Sequence, residues 1–192
     1  MGHLVATRMG DDERHARALP ALTRAFQGMG VVAPHLPQVR AGGSTEDVEG
    51  VAFGEHLGLV AVDAKDWERC RGYFTDEIYA DFTSLAGGSP GTMPSDDLVG
   101  AWATNLYADK LSHHMRTNHR VTIDGDRAEV FSKGYALNIL HRPTGSDLWE
   151  VWGNYSHTLE RTGEGWKCSG MTFVVTHARG NEMARDYLPD QY

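Results

Sequence analysis

Between His113 and His177 the chain carries four long runs with strand character, separated only by short turn signals. His113–Ile123 stops at Asp124-Gly125-Asp126, and Arg127–His141 follows. Pro143-Thr144-Gly145-Ser146 makes the next turn, Leu148–Arg161 is the third run, and Gly163-Glu164-Gly165 leads into Trp166–His177. Asp-Gly between two strand-like runs is a strong hairpin signal, because glycine supplies the positive φ that tight hairpin loops demand. Turns this short join neighbours antiparallel, since a parallel pair needs a crossover of a dozen residues or more. The second half of the chain therefore reads as a four-stranded antiparallel meander.

Helical signals dominate ahead of it. Ser44 or Thr45 can cap a helix in which Val48, Val51, Leu59, Val62, Trp67 and Cys70 recur at helical spacing, although Gly54 and Gly58 weaken the pattern. Tyr73-Phe74-Thr75-Asp76 ends it, Ile78–Leu85 alternates like a strand, and Gly87–Pro94 reads as a loop. Ser95-Asp96-Asp97 opens a helix reaching about Lys110, with Leu98, Trp102 and Leu106 inward. Upstream, Asp11–Gln27 has helix-forming character and Gly28–Ser44 reads as a flexible linker, so residues 1–43 form an N-terminal helical extension and linker. Helices first and strands afterwards is an α+β order. A strongly curved sheet wrapped around those helices makes a cone with one apolar cavity.

At 192 residues, 41% hydrophobic and 23% charged, the chain fits one ordinary globular domain with a tail to spare. Its net charge of -8 opposes nucleic acid or an anionic membrane as a partner. No apolar run approaches the roughly 20 residues that span a bilayer, and Met1–Gly10 lacks an apolar signal core, so a cytoplasmic location is expected. Cys70 and Cys168 are too few for a disulfide framework and read as reduced, buried fillers.

Several short motifs resemble the SnoaL-like, or nuclear-transport-factor-2-like, superfamily, and within it the scytalone dehydratases. Asp63-Ala64-Lys65-Asp66-Trp67-Glu68-Arg69 is similar to their Asp-Ser-Lys-Asp-Trp-Asp-Arg helix, and Asp81-Phe82-Thr83-Ser84 to Asp-Tyr-Arg-Ser. Arg116-Thr117-Asn118-His119 is similar to Arg-Thr-Gln-His, and Gly165-Trp166-Lys167-Cys168-Ser169-Gly170-Met171 to Val-Trp-Lys-Phe-Ala-Gly-Leu. The likeness covers Val62–His177. It implies a cone-shaped, mixed or antiparallel sheet of the cystatin-like α+β roll type, with a SnoaL-like domain over 44–179. It also implies catalytic roles for Asp63, His119 and, after a one-residue gap, His141. The family's two carbonyl-holding tyrosines correspond to Val62 and Phe82, and its third-strand serine and asparagine to Gly153 and Tyr155. The proton-transfer parts look kept while the substrate-binding parts are replaced.

Histidine suits acid–base chemistry because its ordinary pKa of about 6.5 lies near working pH. A buried aspartate beside an imidazole fixes its tautomer and stabilises its charged form. The expectation is that Asp63 orients His141 while His119 moves protons, with no cofactor, in a dehydratase for a small hydrophobic cyclic hydroxy-carbonyl compound. A polyketide, terpenoid or steroid skeleton would suit such walls. A cyclase or isomerase using Asp63 as base stays open, as does a non-catalytic ligand-binding or assembly module. No metal site is expected: His113 and His119 share a strand face but stand about 20 Å apart, and His114 points the other way. His157 and His177 read as rim or surface residues. Alternation groups His119, Val121 and Ile123 on one pocket wall, Tyr135, Leu137, Ile139 and His141 on a second, Trp149, Val151, Gly153 and Tyr155 on a third, and Met171, Phe173 and Val175 on a fourth. Tyr79, Tyr135 and Tyr155 are candidates to replace the missing phenols, so Val62, Tyr79, Phe82, Tyr135, Gly153, Tyr155 and Phe173 make up the expected substrate wall. The resemblance implies a homodimer or homotrimer, the trimer favoured. The C-terminal segment 180–192 is either a pocket cover or a packed terminal helix.

Overall fold

The structure is a computed structural model that describes the backbone of residues 38–40 and all of residues 58–141 and 145–189. The expected helix over Asp11–Gln27, the Ser44 or Thr45 cap and the first turns of the helix from Val48 lie outside these residues. The described residues belong to the compact unit Pro37–Tyr192. Seven strands form one curved, open sheet: β1 (Gln38–Arg40), β2 (Phe74–Asp81), β3 (Gly91–Pro94), β4 (Leu111–Asp124), β5 (Arg127–Ile139), β6 (Leu148–Thr162) and β7 (Gly165–Gly180), in spatial order β1-β4-β5-β6-β7-β2-β3. The expected meander is β4 to β7. Beyond it, β2 joins the far edge parallel to β7, β3 pairs antiparallel with β2, and β1 pairs parallel with Arg120–Thr122 of β4. Thus Gln38–Arg40, within the expected linker, and Gly91–Pro94, within the expected loop, are both strands.

The helices differ from expectation for local reasons. The long helix through Cys70 is broken into α1, described over residues 58–64, and α2 (Trp67–Arg71). Lys65 between them takes φ +59°, a left-handed conformation that ends a helix. Asp66 then caps the second segment, accepting a hydrogen bond from the Arg69 backbone N–H at 3.1 Å. A single turn, α3 (Thr83–Ala86), replaces the end of the predicted strand. The helix α4 (Ser95–Asn105) begins as predicted and stops five residues early, and Ser95 gives its hydroxyl to the Thr75 carbonyl at 2.7 Å instead of capping. A last turn, α5 (Glu182–Asp186), follows β7.

The core lies between the helices and one face of the sheet. Ala61, Val62, Cys70, Ile78 and Leu98 pack at one end; Val121, Ile123, Val130 and Leu159 at another; and Ala136, Trp149, Val151, Phe173 and Ala184 at a third. Two glycines shape this inner face. A Cβ on Gly134 would stand 2.5 Å from Tyr155 Cε2, and one on Gly153 would stand 2.6 Å from the Val174 carbonyl and collide with the Phe173 ring. The two rings therefore lie down on bare backbone, stacked with centroids 4.3 Å apart. Gly134→Ala should overpack this layer and lower unfolding free energy by about 1–3 kcal/mol, measured as a lower urea midpoint; an unchanged midpoint would show that the ring contact is loose.

Candidate active site

A bulge in β4 decides which side chains face inward. Thr117 pairs with Lys133 but Arg120 pairs with Phe131, so β4 carries one extra residue there, and Asn118 takes φ +56°. Asparagine tolerates this left-handed conformation better than most residues. After the bulge, odd positions such as Val121 and Ile123 are buried; before it, Ser112, His114 and Arg116 are the partly buried ones. His114 therefore points inward, against the simple alternation that turned it outward.

The Asp63 carboxylate meets it there. Oδ1 lies 2.7 Å from His114 Nδ1 and accepts from Ser112 Oγ at 3.0 Å, while Oδ2 accepts from the His114 backbone N–H at 2.8 Å. Lys65 Nζ donates to Ser112 Oγ at 2.7 Å, which ties the break between α1 and α2 to the same cluster. Burial pushes the Asp63 carboxyl up, but His114, by side chain and backbone, and then Ser112 outweigh it, and the net shift is downward. Asp63 is thus ionised and fully engaged. With Nδ1 bound to a carboxylate, Nε2 is left as the working nitrogen of the ring.

His114 lines a cavity of about 660 Å³ between the helices and the inner sheet face. Its walls are mostly apolar, with Leu98, Trp102, Trp149, Val151 and Met171 prominent, and the polar groups are few: His114, Arg116, Asn138, Tyr155 and His157 on the strands. The Arg116 guanidinium sits 4.2 Å over the Tyr155 ring. Burial pushes the Tyr155 phenol up against the opposing pull of Arg116, which keeps it protonated at neutral pH. Cys70 and Cys168 also line the wall, and burial followed by the Asp66 charge pushes the Cys70 thiol up to about 11, so it is no nucleophile. Among the described residues no group of three or more His, Cys, Asp or Glu is placed to hold a metal ion, and no helix is long and apolar enough to cross a membrane.

Asp63, His119 and His141 do not converge. His119 sits in the bulge itself and is not part of the cavity wall, and His141 is exposed, 2.8 Å from Asp147 Oδ2. The partner of Asp63 is His114. Of the expected substrate wall, Val62, Phe82, Tyr155 and Phe173 line the cavity. Gly153 is covered by the Phe173 ring, and Tyr79 is 44% exposed on the other face of β2. Tyr135 is also outside, giving its hydroxyl to Glu150 Oε1 at 2.7 Å, where Arg179 Nε donates to Oε2 at 2.7 Å. The group Tyr135, Leu137, Ile139 and His141 is on the wrong face because Asp124 pairs with Arg127, so the odd positions of β4 beyond the bulge share a face with the even positions of β5. The third- and fourth-strand groups do face inward. His157, expected at the rim, is buried on the inner face of β6 with its ring stacked 5.5 Å from Tyr155.

The C-terminal turn contributes to the cavity wall. Ala184 is buried, and Arg185 and Asp186 belong to the wall. The Arg185 carbonyl accepts from Asn105 Nδ2 at 3.1 Å and from Lys110 Nζ at 2.6 Å.

Residues 43–172 match the model of the SnoaL-like domain, which is more than half the chain. The chain belongs to the SnoaL-like family. No curated protein matches this SnoaL-like chain significantly. Among solved structures it is similar to the Kfla4162 protein of Kribbella flavida, at 29% identity and a TM-score of 0.69 over 73% of this chain and 97% of that one. It shares its fold with a protein of Novosphingobium aromaticivorans provisionally named a scytalone dehydratase, at 12% identity and a TM-score of 0.62 over 77% and 95% of the two chains. A type 2 hexachlorocyclohexane dehydrochlorinase shares it too, at 16% identity and a TM-score of 0.57 over 76% and 99%. The SnoaL-like and nuclear-transport-factor-2-like family includes dehydratases, isomerases and cyclases.

Lys110 yields a pH prediction for this SnoaL-like fold. Burial, opposed by Asp186 and aided by Lys65, brings its ammonium down from 10.5 to about 8. Between those values the unfolded chain binds the proton and the folded one releases it, so raising the pH favours the fold. Wild type should gain stability relative to Lys110→Met as the pH rises from about 8 toward 10.5, read from urea midpoints of the two proteins at each pH; a gap that stays constant would refute the shift.

Proposed function

We propose that the protein is a cofactor-independent lyase, a dehydratase of small hydrophobic cyclic hydroxy-carbonyl compounds. The observation that carries this reading is the ionised Asp63 carboxylate on Nδ1 of a histidine whose ring lines the cavity. In the proposed reaction His114 Nε2 takes the proton from the carbon next to the substrate carbonyl. The electron pair of that C–H bond forms the C=C bond, and the bond to the β-hydroxyl breaks. The imidazolium formed on His114 is stabilised by Asp63 and returns its proton to the departing hydroxide, so one water leaves and the ring is restored neutral. Arg116, two residues along the same face and roughly 7 Å away along the strand, supplies positive charge for the enolate-like oxygen.

Asp63 as the base, the cyclase or isomerase variant, is less well supported. Both its oxygens are already occupied by His114 and Ser112, which suits an orienting role. Elimination of HCl, the reaction in the name of one structural relative, involves the same bond changes with chloride in place of hydroxide.

The test is incubation with a panel of cyclic β-hydroxy ketones, followed by mass spectrometry for loss of water. His114→Ala should cost about 10²-fold or more in turnover while keeping the circular dichroism spectrum of wild type, and Asp63→Asn should fall in the same direction. His141→Ala should retain turnover. Near-normal turnover in His114→Ala would overturn the assignment.

A further inference from the structure

One polar side chain of the cavity plays no part in the proton chemistry above. Asn138 lies on the inner face of β5, opposite Ser112 of β4 and Trp149 of β6, and is 6% exposed. It belongs to the cavity wall. Its Oδ1 is buried and has no hydrogen-bond partner among the described residues. His114 pairs with Ala136, so Asn138 is its diagonal neighbour on that face, about 7–8 Å away at the backbone. Ser112, the nearest hydroxyl by register, is already held by Asp63 and Lys65.

A buried amide oxygen without a donor is destabilising, and leucine would fill the same shape without that penalty. Among the described residues nothing in the fold uses this amide oxygen. We infer that Asn138 is a specificity-determining residue that accepts a hydrogen bond from a substrate hydroxyl and sets that hydroxyl beside His114. The ligand class is then a hydroxylated small molecule with an apolar body, within reach of a single diagonal of the sheet. This rests on reading the cavity as the substrate site, but not on His114 being the base.

The experiment measures binding of three probes by ¹⁹F NMR: 4-fluorobenzyl alcohol, which donates a hydrogen bond, 4-fluoroacetophenone, which only accepts, and 4-fluorotoluene, which does neither. Wild type should prefer the alcohol over 4-fluorotoluene by about tenfold. Asn138→Leu should erase that preference and melt no lower than wild type, whereas a structural asparagine would melt lower on replacement. His114→Ala should keep the preference, so failure of the proton chemistry and failure of this assignment are distinguishable. The assignment is overturned if wild type shows no preference for the alcohol, if it prefers the ketone, which would make the amide a reader of carbonyls through its NH₂ group, or if Asn138→Leu keeps the preference.

Discussion

One extra residue in β4 governs which of its side chains meet the cavity. In a strict strand, alternate side chains keep to one face, and the inward set Val121 and Ile123 would put His119 inside and His114 outside. The bulge at Asn118 shifts that count by one, so the half of β4 nearest the helices presents Ser112, His114 and Arg116 to the interior. Asp63 has its partner there only because of that shift. The Lys65–Ser112–Asp63–His114 chain links the break between the first two helices to the switched half of the strand. Two non-glycine residues with positive φ, Lys65 and Asn118, thus bracket the site, one at the helix and one at the strand. Such conformations persist where the surrounding contacts over-determine them, and they cluster at functional positions.

The site couples an electrostatic pair to an apolar container. An ionised carboxylate has most effect on an imidazole when water is scarce, and the walls of Leu98, Trp102, Trp149 and Met171 provide that setting. The opposite arrangement holds on the outer face, where Glu150, Arg179 and Tyr135 form an ion pair and a phenol bond around Trp152. The same sheet therefore carries a polar cluster on each of its two sides, and the inner one meets the cavity.

The meander was legible because strand length and turn chemistry agree: a two-residue hairpin loop does form there, at Gly125-Asp126, with Gly125 at φ +58°. Asp63 was legible through the resemblance of Asp63-Ala64-Lys65-Asp66-Trp67 to a family motif. Its partner was not, because a bulge leaves only a faint mark, here a single asparagine two residues after Arg116. The face of β5 was within reach, since a two-residue loop fixes opposite parity for paired positions, and that rule would have turned Tyr135 outward and Asn138 inward. Half of β2 was legible, since Ile78–Asp81 falls in the expected strand, but its parallel pairing with β7 and the three-residue β1 escaped because pairing across a long sequence gap depends on the curvature of the whole sheet and leaves no local pattern. The break at Lys65 escaped because nothing in lysine itself favours a left-handed backbone.

The two glycines under Tyr155 and Phe173 have a further consequence. Those rings occupy part of the cavity wall, whereas the Asp63–His114 pair sits where a helix meets the early half of β4. The size of the chamber and the proposed chemistry therefore rest on different residues. A lineage using this scaffold can exchange aromatic rings for smaller side chains, lengthen or shorten the accessible chamber, and carry the acid–base pair through unaltered. Diversification of ligand size needs no reinvention of the chemistry.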